Sequence, residues 1–321
     1  MKLQMLIPRY KETAAELAPL LDSIAAQQNV DFSEVGVILA NDGEEDTLDS
    51  EALCGWPFEI RYIAQPHRGV SAARNLALDH AAADYVMFCD ADDLFCHACG
   101  LWMLFREMKD EPDAITSTFL EELHLPGGRI EYLHREHDRV FVHGKAYRRA
   151  FLLEKGVRWD EELRIHEDSF FNFLALDLAE KTATIETPFY LWKWRDGSVC
   201  RHDPKYLLKT WPDMIASNDA LVSQTLDRGM EDRAREYLAR LTLETYYTMQ
   251  KPEWNAEENK YYRLAAMTRL RRYLRKRRAL WESVSEKERA KISAGLRDRI
   301  VREGMEMERQ TLDEFLKEVT G

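Results

Sequence analysis

Asp90-Ala91-Asp92-Asp93 sets three carboxylates within four residues, directly after the apolar run Tyr85-Val86-Met87-Phe88-Cys89. Carboxylates this close repel one another, and burying them unpaired is costly. A divalent cation removes that cost. Hard oxygen ligands favour Mg2+ or Mn2+, which keep waters and take phosphate oxygens from a substrate. Taken alone, the same four residues also fit a solvated acidic turn with a helix-capping aspartate. Three other residues suit a ligand that carries a base and phosphates. Asp42 can accept an N–H from a base edge, or open an Asp-Gly turn. Tyr10 can stack on a base, or sit on a surface loop. Arg74, in Gly69-Val70-Ser71-Ala72-Ala73-Arg74-Asn75, can pair with a phosphate or a base carbonyl, or be a solvated helix arginine.

These residues fall at the ends of buried strands. Lys2 to Ile7, Val35 to Ala40, Ile60 to Ala64 and Tyr85 to Cys89 read as strands. Thr13 to Gln28, with Leu17, Leu20, Leu21 and Ile24 at helical spacing, and Ser71 to Ala83 read as helices. Strands alternating with helices imply a largely parallel sheet, which binds ligands at the carboxyl ends of its strands. Three of these strands end in Pro8-Arg9-Tyr10, Asn41-Asp42-Gly43 and the acidic cluster. Gly127-Gly128 reads as a hairpin turn between Phe119 to Leu125 and Arg129 to Leu133. Lys145 to Glu154 and Glu167 to Ala179 read as helices, and Pro188 to Trp194 as a short aromatic run. From about Pro204 glycine becomes scarce and Leu, Ala, Glu and Arg recur at helical spacing. The expected architecture is an α/β domain over 1–203 with an appended helical region over 204–321.

The 321 residues carry a net charge of −12, a poor balance for a general nucleic-acid binder. Five cysteines without a signal sequence read as reduced thiols. Cys96-His97-Ala98-Cys99 lacks a second Cys-x-x-Cys, so it reads as a helix start with two buried thiols rather than a zinc site. No apolar run approaches the ~20 residues that span a bilayer. The expectation is a cytoplasmic protein.

In order and spacing, five segments resemble a family 2 glycosyltransferase with the GT-A fold, a Rossmann-like nucleotide-diphospho-sugar transferase sheet. They are Ile7-Pro8-Arg9-Tyr10, Leu39-Ala40-Asn41-Asp42-Gly43, Arg68 to Asn75, Phe88 to Asp93 and His166-Glu167-Asp168. The resemblance implies an inverting transfer from a nucleotide-sugar, most often a UDP-sugar, to a hydroxyl of a glycan, glycolipid or polymer in cell-surface polysaccharide biosynthesis. It implies that Tyr10 stacks on uracil, that Asp42 accepts its N3–H, and that Arg74 helps hold the base or diphosphate. Pro8, Glu12 and Ala91 join these as donor-binding positions. Asp90 would contact the ribose or metal, and Asp92 would ligate Mn2+ or Mg2+. Asp168 becomes the base, with Glu167 as runner-up, since an inverting transfer needs a carboxylate to take the acceptor proton. Two acids at a helix start are also favoured by the macrodipole alone. Lys11 stands where the family usually has Asn, and Asn41-Asp42 where it often has Asp-Asp.

Further along, Tyr190 to His202 combines an aromatic strand with a loop suited to a diphosphate. Arg195 and Ser198 are candidates for phosphate oxygens, and His202 for a further metal ligand. Trp192 and Trp194 suit either a sugar platform or core packing. A stretch like His143-Gly144-Lys145 borders the acceptor pocket in the family, and is otherwise a turn before a helix. Between Lys260 and Arg278 lie nine basic residues and no acid, with Leu264, Met267, Leu270 and Leu274 as an apolar stripe. That segment suits an anionic membrane surface on the inner face, an anionic acceptor polymer, or a solvated face paired with acids elsewhere. Homo-oligomerisation is left open. Two other classes compete with the transferase. A nucleotidyltransferase would need a glycine-rich loop near the start, which Pro8 to Glu12 lacks. A non-catalytic interaction protein would work through its helical tail alone.

Overall fold

The computed structural model describes residues 1–43, 48, 53–195, 203, 205–302 and 310–320. The chain divides into two compact units, Met1–Ser198 and Val199–Gly321. In the first, chain order is β1 (Leu3–Arg9), α1 (Ala14–Ala25), β2 (Val35–Asp42), β3 (Glu59–Gln65), α2 (Val70–His80), β4 (Tyr85–Phe88), β5 (Leu94–Phe95), α3 (Gly100–Glu107), β6 (Ala114–Leu125), β7 (Arg129–Arg135), β8 (Ala146–Arg148), α4 (Arg149–Glu154), α5 (Glu167–Leu178) and β9 (Thr182–Trp192).

Side-chain alternation along β1 builds both sides of the sheet. Leu3, Met5 and Ile7 join one core with Leu17, Leu20, Leu21 and Ile24 of α1. Leu6 joins the other with Ala73, Ala77 and Leu78 of α2. Thr13 closes a capping box with Glu16 at the start of α1. The alanines of α2 let that helix lie close against the sheet.

Strand order among the described residues is β3-β2-β1-β4-β8-β6-β9-β5, with β7 on the outer side of β6. The β3, β2, β1 and β4 strands are mutually parallel. Beyond them β8 runs antiparallel to both β4 and β6, and β9 runs parallel to β6. The ends of β1, β2 and β4 are therefore neighbours, which brings Tyr10, Asp42 and Asp90 to one edge. This is the α/β sheet expected from the sequence.

Three local expectations change. The stretch Lys145 to Glu154 is not one helix: Ala146–Arg148 forms β8, and the helix begins at Arg149. Pairing between two strands fixes β8, and no local pattern reports that. The aromatic run belongs to a longer strand, β9. Cys96 is exposed and Cys99 half-buried, so the thiols are not buried as expected, and the helix starts after them at Gly100.

Gly144 occupies the left-handed region at φ 66°. Its carbonyl accepts from Ser117 Oγ at 2.9 Å, and a Cβ there would stand 2.2 Å from that oxygen.

The second unit is helical: α6 (Tyr206–Asp227), α7 (Glu231–Thr248), α8 (Lys260–Lys276), α9 (Arg278–Glu282), α10 (Glu286–Arg302) and α11 (Leu312–Thr320). Met267, Leu270 and Leu274 of α8 are buried. Leu264 is not part of that stripe and is 65% exposed. At about 100° per residue it lies roughly 120° from the centre of the buried face. Much of the basic segment is paired within the unit. Arg263 meets Glu318 at 2.9 Å, Lys276 and Arg277 both meet Asp219 at 2.7 Å, and Arg278 meets Glu282 at 2.8 Å. Arg271 donates to the carbonyls of Glu318 and Val319 at the end of α11. Among the described residues no helix is long and apolar enough to cross a membrane.

Gly144→Ala should destabilise the protein by about 2–4 kcal/mol, from left-handed strain plus overpacking. Urea unfolding at constant m-value measures the loss.

Candidate functional site

Arg74 is the centre of the site. It lies one turn into α2 and its side chain is 3% exposed. Its Nη1 contacts Asp168 Oδ1 at 2.7 Å and Glu167 Oε1 at 3.3 Å, and its Nη2 contacts Asp90 Oδ1 at 2.9 Å. One guanidinium thus ties the end of β4 to the start of α5. The ring of Trp159 lies 4.3 Å below it. Asn75, the next residue, exchanges two hydrogen bonds with the backbone of Trp159, at 2.9 and 3.0 Å. The Arg-Asn pair therefore works as a unit: one residue binds the carboxylates and the other fixes the platform beneath.

Charge shapes the titration of these acids. Burial would push Asp90 up, but Arg74 holds it below the usual carboxylate range. Burial, and then Asp168, push Glu167 up to about 8. Burial raises Asp168 as well, against the pull of Arg74. Asp92 is raised by burial and by Asp90, while Arg195 reaches it at 3.3 Å. Arg195 also reaches Glu12 at 3.3 Å. Asp93 lies fully inside: Tyr190 donates to it at 2.9 Å and the Lys193 N–H at 3.0 Å. The same Tyr190 hydroxyl accepts from the Asp90 N–H at 3.2 Å, so it clamps both ends of the acidic turn. Burial and the neighbouring Asp90 and Asp92 raise Asp93 well above its ordinary value.

Six acids (Glu12, Asp90, Asp92, Asp93, Glu167 and Asp168) thus gather around two arginines, Arg74 and Arg195. An acidic site of this kind repels a diphosphate unless cations enter with it. The donor set is hard oxygen, which fits Mg2+ or Mn2+. Ligand atoms of Asp90, Asp93 and His143 also lie within 4.8 Å of one another. His143 is buried and neutral, its pKa lowered to about 4 by burial, and is stacked on Tyr190 and Trp192.

At the next strand ends, Arg9 is buried. It donates to the Glu12 carbonyl at 2.6 Å and to Asn41 Oδ1 at 2.7 Å. The Tyr10 N–H donates to the Glu12 carboxylate at 2.6 Å. Lys11 has φ 69°, a left-handed conformation that Asn adopts more readily than Lys. Its departure from the family pattern therefore bears on the backbone of this turn. Pro8 is half-buried in β1, and Ala91 is buried in the core beneath the acidic turn. Asp42 is almost wholly enclosed. Its Oδ1 accepts from Gln65 Nε2 and the Arg68 N–H at 2.8 Å each. Its Oδ2 accepts from the Gly69 N–H at 2.7 Å and from His67 Nδ1 at 2.9 Å. The carboxylate caps α2, where the macrodipole favours it. The His67 ring stacks on Tyr10 with centroids 4.4 Å apart.

A second wall comes from β6, β7 and the end of β9. Trp194 stacks on His124 at 4.9 Å, and His124 pairs with Glu122 at 2.7 Å. Tyr132 and Ile130, opposite them on β7, are exposed. Trp192 packs on Phe141 and His143. Lys145 is buried, donating to the Phe141 carbonyl and to Asp138. Ser198 and His202 lie outside the described residues. The sequence reading missed His67, Trp159, Tyr190 and Glu122. Only Trp159, an isolated aromatic, and Tyr190, within the aromatic run, left a trace.

A GT-A glycosyltransferase fold is what this sheet and its strand-end site define. Its relatives agree. The profile of glycosyl transferase family 2 matches residues 5–122. The uncharacterized glycosyltransferase EpsJ of Bacillus subtilis is 26% identical over 200 residues, 56% of this chain and 57% of its own. A teichoic acid poly(glycerol phosphate) polymerase of Staphylococcus epidermidis is 27% identical over 201 residues, 58% of this chain and 28% of its own. This chain thus spans little more than half of the first relative and under a third of the second. The crystal structure of S. aureus TarS 1-349 in complex with UDP-GlcNAc superimposes with a TM-score of 0.64 at 17% identity, covering 96% of this chain and 93% of that one.

Glu167 gives a pH signature. Its raised pKa favours the folded state below about 4.5, and that contribution is lost as pH rises through about 8. Glu167→Gln lacks the titration. The variant should gain on wild type between these values, by up to about 1.4 kcal/mol per pH unit, and level off above. Chemical denaturation at pH 5, 6.5, 8 and 9 checks this; parallel curves would reject the buried-acid assignment.

Proposed function

We propose that this protein is an inverting glycosyltransferase moving a sugar from a UDP-sugar to a hydroxyl of a cell-surface glycan, glycolipid or polymer. The observation that carries the reading is the Arg74 clamp, which gathers Asp90 with Glu167 and Asp168 on one guanidinium. Such a cluster suits a reaction that loses a diphosphate at one end and a proton at the other. In it, Asp168 takes the proton from the acceptor hydroxyl as that oxygen attacks the anomeric carbon. The bond from that carbon to the diphosphate breaks, and the diphosphate leaves with the electron pair. A base whose pKa is raised toward neutrality takes the proton more effectively. Arg74 keeps Asp168 oriented, and Arg195 faces the side where phosphate charge develops. Asp92 and Asp90 are the residues that would hold Mn2+ or Mg2+, which supplies charge neutralisation for the diphosphate when bound. Tyr10 and Asp42 form the base end. The TarS complex with UDP-GlcNAc supports a nucleotide-sugar donor, and the teichoic acid polymerase supports a polymer acceptor. The wall of Trp194, His124 and Tyr132, with Glu122 beside it, is the acceptor side: flat rings against the apolar face of a sugar, and a carboxylate for its hydroxyls.

Calorimetry with UDP tests the donor half. UDP should bind with Mn2+ and much more weakly in EDTA, and Asp92→Ala should lose the difference. Asp168→Asn should leave UDP affinity within a few-fold and lower turnover of UDP-GlcNAc by about 10²–10⁴. Equal UDP affinity with and without metal would reject the metal assignment, and release of pyrophosphate rather than UDP would reject transfer.

The peripheral membrane contact falls on the outward face of α8. Arg269, Arg272 and Arg275 are exposed there, with Tyr261 76% and Leu264 65% exposed on the same side. Cations flanked by exposed apolar groups suit an anionic bilayer surface, at about 1 kcal/mol per arginine. Wild type should float with phosphatidylglycerol vesicles and release as salt rises. Charge reversal at Arg269, Arg272 and Arg275 should abolish flotation, and flotation with pure phosphatidylcholine would reject the electrostatic contact.

A further inference from the structure

Resting on that reading of the donor, we infer that the His67 imidazole occupies the nucleobase position and holds down nucleotide affinity by having to be exchanged for the base. The ring makes the two contacts proposed for uracil. It stacks on Tyr10, with centroids 4.4 Å apart and planes 26° from parallel. Its Nδ1 lies 2.9 Å from Asp42 Oδ2 and 3.1 Å from the Asp42 main-chain carbonyl. Both partners are acceptors, so Nδ1 carries the proton and donates, as N3–H of uracil would. A ring plane on Tyr10 and an N–H aimed at Asp42 are the recognition elements of a pyrimidine that bears an imide hydrogen.

The remaining contacts of Asp42 are not exchangeable in the same way. Two come from the backbone N–H groups of Arg68 and Gly69, where α2 begins, and one from Gln65 on β3. Loss of those would undo the cap. His67 is the contact that can leave: its side chain is 57% exposed, while Asp42 is 4% exposed. It lies in the short connection between β3 and α2, so its ring can rotate outward without moving either element. A base entering over Tyr10 must displace it.

Exchange sets the affinity and Asp42 sets the choice. Uracil replaces both the stack and the N–H that His67 gives up, so Asp42 stays satisfied. Cytosine replaces the stack, but its N3 is an acceptor and leaves Oδ2 short of a donor. A buried acceptor deprived of its partner is costly. Displacing the histidine costs the same for either base, so removing it should tighten UDP and CDP by a similar factor.

Calorimetry on the full chain with Mg2+, using UDP and CDP as probes, reads this directly. His67→Ala should tighten UDP by roughly five- to thirty-fold, from the lost stack and hydrogen bond, and CDP by a similar factor. His67→Phe, which keeps the stack and drops the donor, should fall between, and it covers the case in which the alanine variant fails to fold. Histidine side-chain NMR of wild type should show the His67 resonance, identified by its loss in the variants, shifting when UDP binds. Unchanged or weaker UDP binding in both variants, or a His67 resonance indifferent to bound UDP, would overturn the exchange while leaving the UDP donor in place. Absence of UDP binding in wild type and variants alike would overturn the donor reading, and the exchange with it.

Discussion

Everything in the first unit is arranged around one buried guanidinium. Arg74 holds Asp90, Glu167 and Asp168, residues drawn from elements up to 78 positions apart in the chain. A buried arginine with three carboxylates is stable only if the geometry is kept, because losing any partner leaves charge uncompensated. The surroundings keep it. Trp159 lies beneath the guanidinium, stacked in turn on Phe171 at 4.3 Å, and Asn75 holds the tryptophan backbone. Tyr190 fixes the acidic turn from the opposite strand.

The site is therefore rigid in its framework and unbalanced in its charge. Arg74 and Arg195 answer only part of the six acids around them. The raised positions of Glu167, Asp92 and Asp93 come first from burial and then from that excess. An electrostatic debt of this kind suits a centre whose ligands bring their own cation. It also explains why Asp90 and the Glu167-Asp168 pair respond to one another, since they share one cation.

Much of this was legible in the residue order, and the reasons are local. The parallel strands β1, β2 and β4 are largely apolar runs, and their polar ends stand at the sheet edge by topology alone. Tyr10, Asp42, Arg74 and the acidic turn could be picked out because each closes or follows such a run. What the sequence hid were partnerships across long separations. His67 sits in an unremarkable stretch, and only its approach to Tyr10 and Asp42 gives it meaning. Residues 146–148 look helical because their strand character comes from β4 and β6 on either side. Leu264 counts toward an apolar stripe in a linear reading, and the true phase of the helix turns it outward. The basic segment looked uniformly available for an anion. Acids more than 40 residues away, Asp219 and Glu318, claim several of its charges.

The grip of Asp42 on the start of α2 has a consequence for how such a protein changes over time. Asp42, at the end of β2, holds the backbone N–H groups of Arg68 and Gly69, and Arg74 lies five residues past Gly69, about 7.5 Å along the axis. The strand-end carboxylate and the guanidinium cluster therefore move as one body. A substitution that shifts this helix disturbs both together, which closes off gradual adjustment of either by backbone drift. Change is left to the short connection ahead of the helix, where one side chain can be replaced while the cap and the clamp stay in register.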